Sequence, residues 1–259
     1  MPTVALQIPT PDGQADAIAA VPEGGGRHPG VLLYMDIFGI RPELERKAVE
    51  LAEHGYYVLV PNVFYRHGTA PLIDLPDFVG EDERHKAVEQ LLPMLQALTS
   101  EQALSDAEAY LTFLSEQPGV TPGPVAVMGY CMGGGQALRT AAAFPDQVAA
   151  VASFHAGKLV NDTPESPHRA LIPTITADVH IGHAETDMRP EHVAELNKAL
   201  DATGVRYTSE IYPGTVHGFT MADTSAFSAE GLQLHWDRLL ALLGGARFGA
   251  GAEAGAEAE

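Results

Sequence analysis

The alternation of short apolar runs with longer runs of helical periodicity constrains the fold of this chain more than any other feature. "GVLLYM" precedes the amphipathic run "PELERKAVELAEHG", and "PVAVMG" precedes "GGQALRTAAAF". Strands that alternate with helices indicate a sheet with crossover helices, and they argue against a β-sandwich or a helix bundle. We therefore predict an α/β fold in which a mostly parallel central sheet is flanked by helices.

The boundaries of the predicted elements follow from the same pattern. "TVALQI" and "ADAIAAV" flank the turn "PTPDGQ", which predicts an opening hairpin. Six further strands are predicted at "GVLLYM", "YYVLVP", "PVAVMG", "VAAVASF", "TITADVHIG" and "RYTSEIYP". Residues 66–100 contain three prolines and no long period, so we predict loops and short helices there. "LSDAEAYLTFLSEQ" predicts a helix that Ser105 or Asp106 begins.

Composition and charge limit the function classes. The chain has 34 acidic and 15 basic side chains and a net charge of -19, which disfavours binding to nucleic acid or to anionic membrane surfaces. No apolar run reaches the roughly 18 residues of a membrane span. A single cysteine cannot form an internal disulfide, so we expect a cytoplasmic protein. We predict one domain over residues 1–245 and a disordered, low-complexity acidic tail over residues 246–259.

The only cysteine lies at the junction of a predicted strand and a predicted helix. "GYCMG" places Cys131 between Gly129 and Gly133 with the spacing of the nucleophile elbow G-x-S-x-G, with cysteine in place of serine. A thiol at a helix N-terminus is favoured as thiolate, and the Met132 amide could donate to an oxyanion. A lone cysteine is more often a small buried side chain, but this context favours a nucleophile.

A catalytic base is predicted in the loop after the last strand. "YPGTVHGF" places His217 there, and an imidazole can both accept and return a proton near neutral pH. His155, His180 and His183 are the other histidines that we considered, and they lack this placement. "HIGH" suggests a pair of metal ligands, but no companion cluster of His, Cys or Asp accompanies it, so we predict no metal.

The acid that would orient the base is expected just after "TITADVHIG". The segment "GHAETDMRP" offers Glu185 and Asp187. Glu185 lies three residues after Gly182, which is the usual offset for this acid, whereas aspartate is the more frequent side chain in such triads. We favour Glu185 on position and retain Asp187 as the alternative.

Three motifs in order resemble the dienelactone hydrolase family. They are "MDIFGIRPELERKAVELAEHGYYVLVPNVFYR", "GYCMGG" and "HGF", and the resemblance extends over about residues 15–243. It implies an α/β-hydrolase fold and a cysteine-dependent carboxylic ester hydrolase of the carboxymethylenebutenolidase type. It also implies a small-molecule lactone or ester as substrate, with no cofactor and no metal. None of these features specifies an oligomeric state.

The resemblance also implies roles for individual residues. Asp36 matches a carboxylate that holds the resting thiol and is usually glutamate in the family; the alternative is a capping or turn residue. Ile37 would supply a second oxyanion amide beside Met132. Arg84 matches one of two arginines that bind a substrate carboxylate, but Met221 occupies the second position. The resemblance therefore implies a neutral or less acidic lactone or ester.

Two other function classes remain open. The departures at Asp36 and Met221 are compatible with a catalytically silent protein that keeps the fold to bind or sense a ligand. A thiol redox role is the third possibility, and the lack of a second, resolving cysteine disfavours it. A covalent acyl intermediate would distinguish the hydrolase from both.

Overall fold

The computed structural model describes residues 3–248 and contains one eight-stranded sheet. The strands are β1 (Val4–Thr10), β2 (Gly13–Ala20), β3 (Gly30–Tyr34), β4 (Tyr57–Pro61), β5 (Val125–Tyr130), β6 (Val148–Phe154), β7 (Asp178–Ala184) and β8 (Tyr207–Tyr212). The helices are α1 (Pro42–Glu53), α2 (Glu81–Ala97), α3 (Ser100–Ser115), α4 (Met132–Ala143), α5 (Pro167–Ala170), α6 (Pro190–Asp201) and α7 (Ala229–Gly245).

The sheet is mostly parallel, as predicted. Its strand order is β1-β2-β4-β3-β5-β6-β7-β8. The pairs β1/β2 and β2/β4 are antiparallel, and every other pair is parallel. Every residue of β3, β4 and β5 is buried, which explains why these strands read as continuous apolar runs and not as alternating ones. The predicted α/β fold and its opening hairpin are confirmed.

The prediction of loops and short helices over residues 66–100 was wrong, because α2 occupies 17 of these residues. Only Ala87 and Leu91 of this helix are buried, so its apolar stripe is too narrow to give a clear helical period. Pro93 lies within the helix and is exposed to solvent. A peptide carbonyl left without its helical donor by this proline can bond water there.

Two predicted boundaries also needed correction. Helix α3 begins at Ser100, not near Ser105, because Thr99 and Gln102 form a reciprocal capping box at its N-terminus. Asp106 is buried instead and accepts hydrogen bonds from Arg66. Strand β7 begins at Asp178, since the first residues of "TITADVHIG" end a short 3-10 helix.

The predicted tail lies almost wholly outside the described residues. Of residues 246–259, the structure describes only 246–248, and there the Phe248 ring packs edge-on against Tyr56 at 6.1 Å. Over residues 3–248, none of the helices has the length and apolar character needed to traverse a bilayer.

Helix α4 approaches the sheet so closely that two positions have no room for a side chain. A Cβ atom on Gly129 would lie 2.1 Å from the carbonyl oxygen of Gly133. A Cβ atom on Gly133 would lie 2.4 Å from the carbonyl oxygen of Met35. Both obstacles are backbone atoms, so they cannot move aside as a flexible side chain would. The glycines therefore allow the helix to start directly against β3 and β5.

We expect Gly133→Ala to destabilise the fold by about 3 kcal/mol or more, since an added methyl group in closed packing forces backbone shifts. Gly135→Ala is the matched control, because Gly135 lies in the same helix and its Cβ would meet nothing within 4 Å. Alanine there should raise stability by about 0.5–1 kcal/mol through helix propensity. Chemical denaturation of both variants measures the difference, and equal stabilities would contradict this packing.

Candidate active site

Cys131 occupies a strained turn between β5 and α4. Its φ of 56° and ψ of -120° lie outside the usual regions for a residue with a side chain, and such conformations cost about 1–3 kcal/mol. The Cys131 amide donates to the Phe154 carbonyl at 3.0 Å, which fixes the turn to the end of β6. This geometry leaves the thiol partly exposed at the N-terminus of α4. Strain of this kind is typical of functional positions.

His217 joins the thiol to a carboxylate. The imidazole Nε2 lies 3.0 Å from Cys131 Sγ, and Nδ1 lies 2.7 Å from Asp187 Oδ1. His217 is on the loop between β8 and α7, Asp187 follows β7, and Cys131 follows β5, so the ends of three strands in one half of the sheet bring the groups together. The Asp187 side chain is only 6% exposed, whereas that of His217 is 38% exposed.

The surroundings of His217 favour its protonated form. Burial alone would lower the pKa of the imidazole, but hydrogen bonds and charge interactions with Asp187 and Cys131 outweigh burial and raise that pKa to about 10. An imidazolium beside sulfur stabilises a thiolate by its charge. The arrangement therefore places a positively charged imidazole within hydrogen-bond reach of the Cys131 sulfur, at 3.0 Å.

Glu185 and Asp187 have different partners. The Glu185 carboxylate accepts a hydrogen bond from the Gly214 amide at 2.7 Å, at the start of the loop that carries His217. Between them, the Thr186 hydroxyl oxygen accepts from the His217 amide at 3.2 Å. Asp187 is thus the carboxylate that reaches the imidazole, and Glu185 holds the loop backbone. Thr186 was not among the sequence predictions, since one threonine in a polar loop gives no distinctive pattern.

The thiol opens into a small cavity of about 200 Å³. Its lining includes Ile37, which follows β3, and Met221, which follows the His217 loop. Neither the Ile37 amide nor the Met132 amide donates a hydrogen bond to any residue in the stretch 3–248. Met132 is the first residue of α4, where a helix leaves its N–H groups without internal acceptors. Both amides are therefore free to bind an oxyanion.

The structure does not join Asp36 to the thiol. Arg41 donates to both Asp36 carboxylate oxygens, at 2.7 Å and 3.0 Å, and the Phe38 amide donates to one of them at 3.0 Å. The hydrogen-bond partner of Cys131 Sγ is His217 instead. Asp36 lines the cavity, but a bidentate ion pair occupies the carboxylate that the family resemblance assigned to the thiol. Arg41, which lies five residues further along the chain, carries no sequence pattern that would have predicted this pairing.

Arg84 and Met221 both line the catalytic cavity. Arg84 projects from α2, and its Nη2 donates to the His217 carbonyl at 3.0 Å. Its buried Nε has no hydrogen-bond partner within the described part of the chain. The position expected to carry the second arginine is filled by the buried Met221 side chain. The cavity therefore presents one guanidinium, that of Arg84, beside the apolar Met221 side chain.

The three other histidines that we considered are buried, and one of them lies in the catalytic cavity. His155 lines the cavity, and its Nε2 is 2.8 Å from Thr220 Oγ1. His180 and His183 bond side chains of β8, and burial lowers the pKa of each to about 4. Between residues 3 and 248, no group of three His, Cys, Asp or Glu side chains is arranged to hold a metal ion.

The sequence also matches a known protein family. Residues 15–246 match the model of the dienelactone hydrolase family. The chain belongs to this family. It is thus a hydrolase of the dienelactone hydrolase type with an α/β-hydrolase-like fold.

Individual relatives of this dienelactone hydrolase family member are distant. A Synechocystis protein provisionally named a carboxymethylenebutenolidase is 25% identical over 241 residues, which cover 92% of this chain and 94% of the relative. A carboxymethylenebutenolidase of a Pseudomonas species is 34% identical over 117 residues, or 45% of this chain and 46% of the relative. A Klebsiella pneumoniae structure provisionally described as a dienelactone hydrolase has a TM-score of 0.79 at 20% identity, and the alignment covers 95% of this chain and 100% of that one.

We expect Asp187→Asn to lower the pKa of His217 from its raised value near 10, because the variant removes the negative charge beside Nδ1. Glu185→Gln should leave that pKa unchanged. Because the folded-state pKa is raised, His217 stabilises the fold below pH 6.5, and this contribution is lost as pH rises through about 10. Titration of ¹⁵N-labelled histidine by NMR measures the pKa, and equal shifts in both variants would refute the assignment of partners.

Proposed function

We propose that the protein hydrolyses carboxylic esters or lactones through a covalent thioester on Cys131. The observation that carries this proposal is the continuous path from Cys131 Sγ to His217 Nε2 at 3.0 Å, and from His217 Nδ1 to Asp187 at 2.7 Å. A nucleophile, a base and an orienting acid within hydrogen-bond reach form the arrangement that acyl transfer requires.

In the acylation step, the Cys131 thiolate attacks the substrate carbonyl carbon. The electron pair of the C=O double bond moves to oxygen, and the amides of Ile37 and Met132 stabilise the resulting oxyanion. Collapse of this intermediate breaks the ester C–O bond, and the His217 imidazolium donates its proton to the leaving oxygen. A lactone would open in the same step, and its leaving hydroxyl would stay attached to the acyl group.

In the deacylation step, neutral His217 accepts a proton from water as the water oxygen attacks the thioester. The second tetrahedral intermediate collapses, releases the carboxylic acid and restores the thiolate beside the imidazolium. Asp187 would hold the imidazole orientation throughout, because its carboxylate accepts a hydrogen bond from Nδ1–H. This role belongs to Asp187 in our proposal, and Glu185 acts through the backbone of the His217 loop.

For the substrate, we propose a neutral or weakly acidic ester or lactone. The family resemblance implies two arginines for a carboxylate, and the catalytic cavity is lined by Arg84 and, at the second position, by Met221. A single guanidinium already bonded to the His217 carbonyl gives a weaker carboxylate site than a pair would. Because an accessible thiol is prone to oxidation, we also propose a reducing compartment such as the cytoplasm.

We expect wild-type protein mixed with p-nitrophenyl acetate to gain one acetyl group on Cys131 and then lose it as nitrophenolate accumulates. Cys131→Ala should release no nitrophenolate above background, and His217→Ala should slow acylation by about 10²-fold or more. Intact-protein mass spectrometry, with peptide mapping of the adduct, measures both.

Asp187→Asn and Glu185→Gln provide a matched pair of carboxylate variants. The first should lower kcat by about 10²-fold or more, and the second should stay close to wild type. Turnover by Cys131→Ala at the wild-type rate would refute the nucleophile. Lactone binding without any acyl adduct would favour the catalytically silent ligand-binding protein instead.

A further inference from the structure

A second, larger cavity lies beside the catalytic one. It has a volume of about 640 Å³, compared with about 200 Å³ for the cavity at the thiol, and Phe38 lines both. Cavities that bind small molecules usually measure about 300–1,000 Å³. The catalytic cavity alone is therefore small, and the larger one has the size expected of a binding site.

The wall between the two cavities is partly ionic and partly aromatic. Asp36 lines the catalytic cavity, Asp223 lines the larger one, and Arg41 bonds both carboxylates. The Arg41 guanidinium also lies 5.4 Å from the centre of the Phe38 ring. The buried Asp36 and Arg41 and the partly buried Asp223 are held by several hydrogen bonds and resist displacement, whereas an apolar ring is held by weaker contacts. Phe38 is thus the weakest part of the wall.

The proposed chemistry indicates which part of the substrate faces this wall. His217 donates a proton to the leaving oxygen, so the leaving group must lie next to the imidazole. The acyl group stays on Cys131, with its oxygen at the Ile37 amide. Phe38 follows Ile37 directly in the chain and belongs to this loop, not to the loop of His217. The acyl group therefore extends toward Phe38.

The charges around the larger cavity select against anionic groups. Its two arginines are engaged, Arg41 with aspartates and Arg46 with Glu43. Four further carboxylates line it and form no ion pair with any residue between 3 and 248, namely Asp16, Glu45, Asp74 and Asp77. Unpaired carboxylates leave a negative potential in the cavity. Uncharged chains fit this lining better than chains that end in a carboxylate.

We propose that Phe38 determines the acyl specificity of this enzyme, because its ring closes the catalytic cavity against the larger cavity. The substrates are accordingly esters or lactones with a short, uncharged acyl part, and the larger cavity is a latent extension for aliphatic acyl chains. This inference rests on the proposed hydrolase function, since it assumes an acyl group on Cys131.

The test compares kcat/KM for p-nitrophenyl acetate and p-nitrophenyl hexanoate in wild type, Phe38→Leu and Phe38→Ala. We expect the hexanoate-to-acetate ratio to rise by about tenfold in Phe38→Ala, as the freed space buries two or more additional methylene groups. Phe38→Leu, which removes less side-chain volume than Phe38→Ala, should give a smaller rise. Mono-p-nitrophenyl adipate has the same chain length but ends in a carboxylate. Its kcat/KM should rise less in Phe38→Ala than that of the hexanoate.

Phe78→Ala is the matched control, because Phe78 is 59% exposed and lines neither cavity. Its hexanoate-to-acetate ratio should equal that of wild type. Thermal melting of each variant checks folding, and Phe38→Leu keeps the test valid if Phe38→Ala fails to fold.

The outcomes separate this inference from the function on which it rests. Wild type that forms no acyl adduct and turns over no ester would overturn the proposed function itself. Wild-type acetate turnover with an unchanged ratio in both Phe38 variants would overturn only the role of Phe38. If the Phe38 variants raised kcat/KM only for esters with a longer alcohol part, measured as the ratio of hexyl acetate to ethyl acetate, the assignment of the acyl group to this side would be overturned.

Discussion

The close contact between the first turn of α4 and the end of β3 determines the geometry of the site. Gly133 lies where any side chain would strike the Met35 carbonyl, one residue before the loop that begins at Asp36. Cys131 lies two residues before Gly133, so this contact brings the strained turn and the start of α4 against the loop that bears Ile37. The proposed nucleophile and both candidate oxyanion amides therefore lie around a single backbone-to-backbone approach, and glycine is the residue that allows it.

The sequence predicted the sheet and the elbow well because both depend on local patterns. Buried parallel strands read as apolar runs, and the turn at Cys131 needs glycines at fixed spacing. The choice between Glu185 and Asp187 could not be made this way, since it depends on where the His217 loop lies in space. Their different partners become visible only when β7 and β8 are paired side by side.

Other features could not be predicted from the sequence, because they leave no periodic pattern in it. Helix α2 buries only two residues, so packing leaves little trace in its hydrophobic pattern. The bond between Arg41 and Asp223 spans 182 residues and depends on the complete fold. Lys47 likewise donates to the Thr220 carbonyl, and Glu43 accepts from the Ala222 amide. Charged groups of α1 thus hold the loop after His217. Buried charged groups of this kind can select one conformation of a loop even where they add little to the free energy of unfolding.

The three consecutive residues 185–187 all hold the segment that carries the base. Glu185 and Thr186 bond its backbone, and Asp187 bonds its imidazole. The proposed acid and base are therefore connected by these three hydrogen bonds, so thermal motion should move them together and keep their separation nearly constant. Relative motion at this site is then expected mainly between His217 and Cys131, the two groups between which the substrate reacts in the proposed mechanism. A one-residue insertion or deletion within 185–187 would break all three bonds at once, so changes of length are expected to be tolerated elsewhere in these loops, not here.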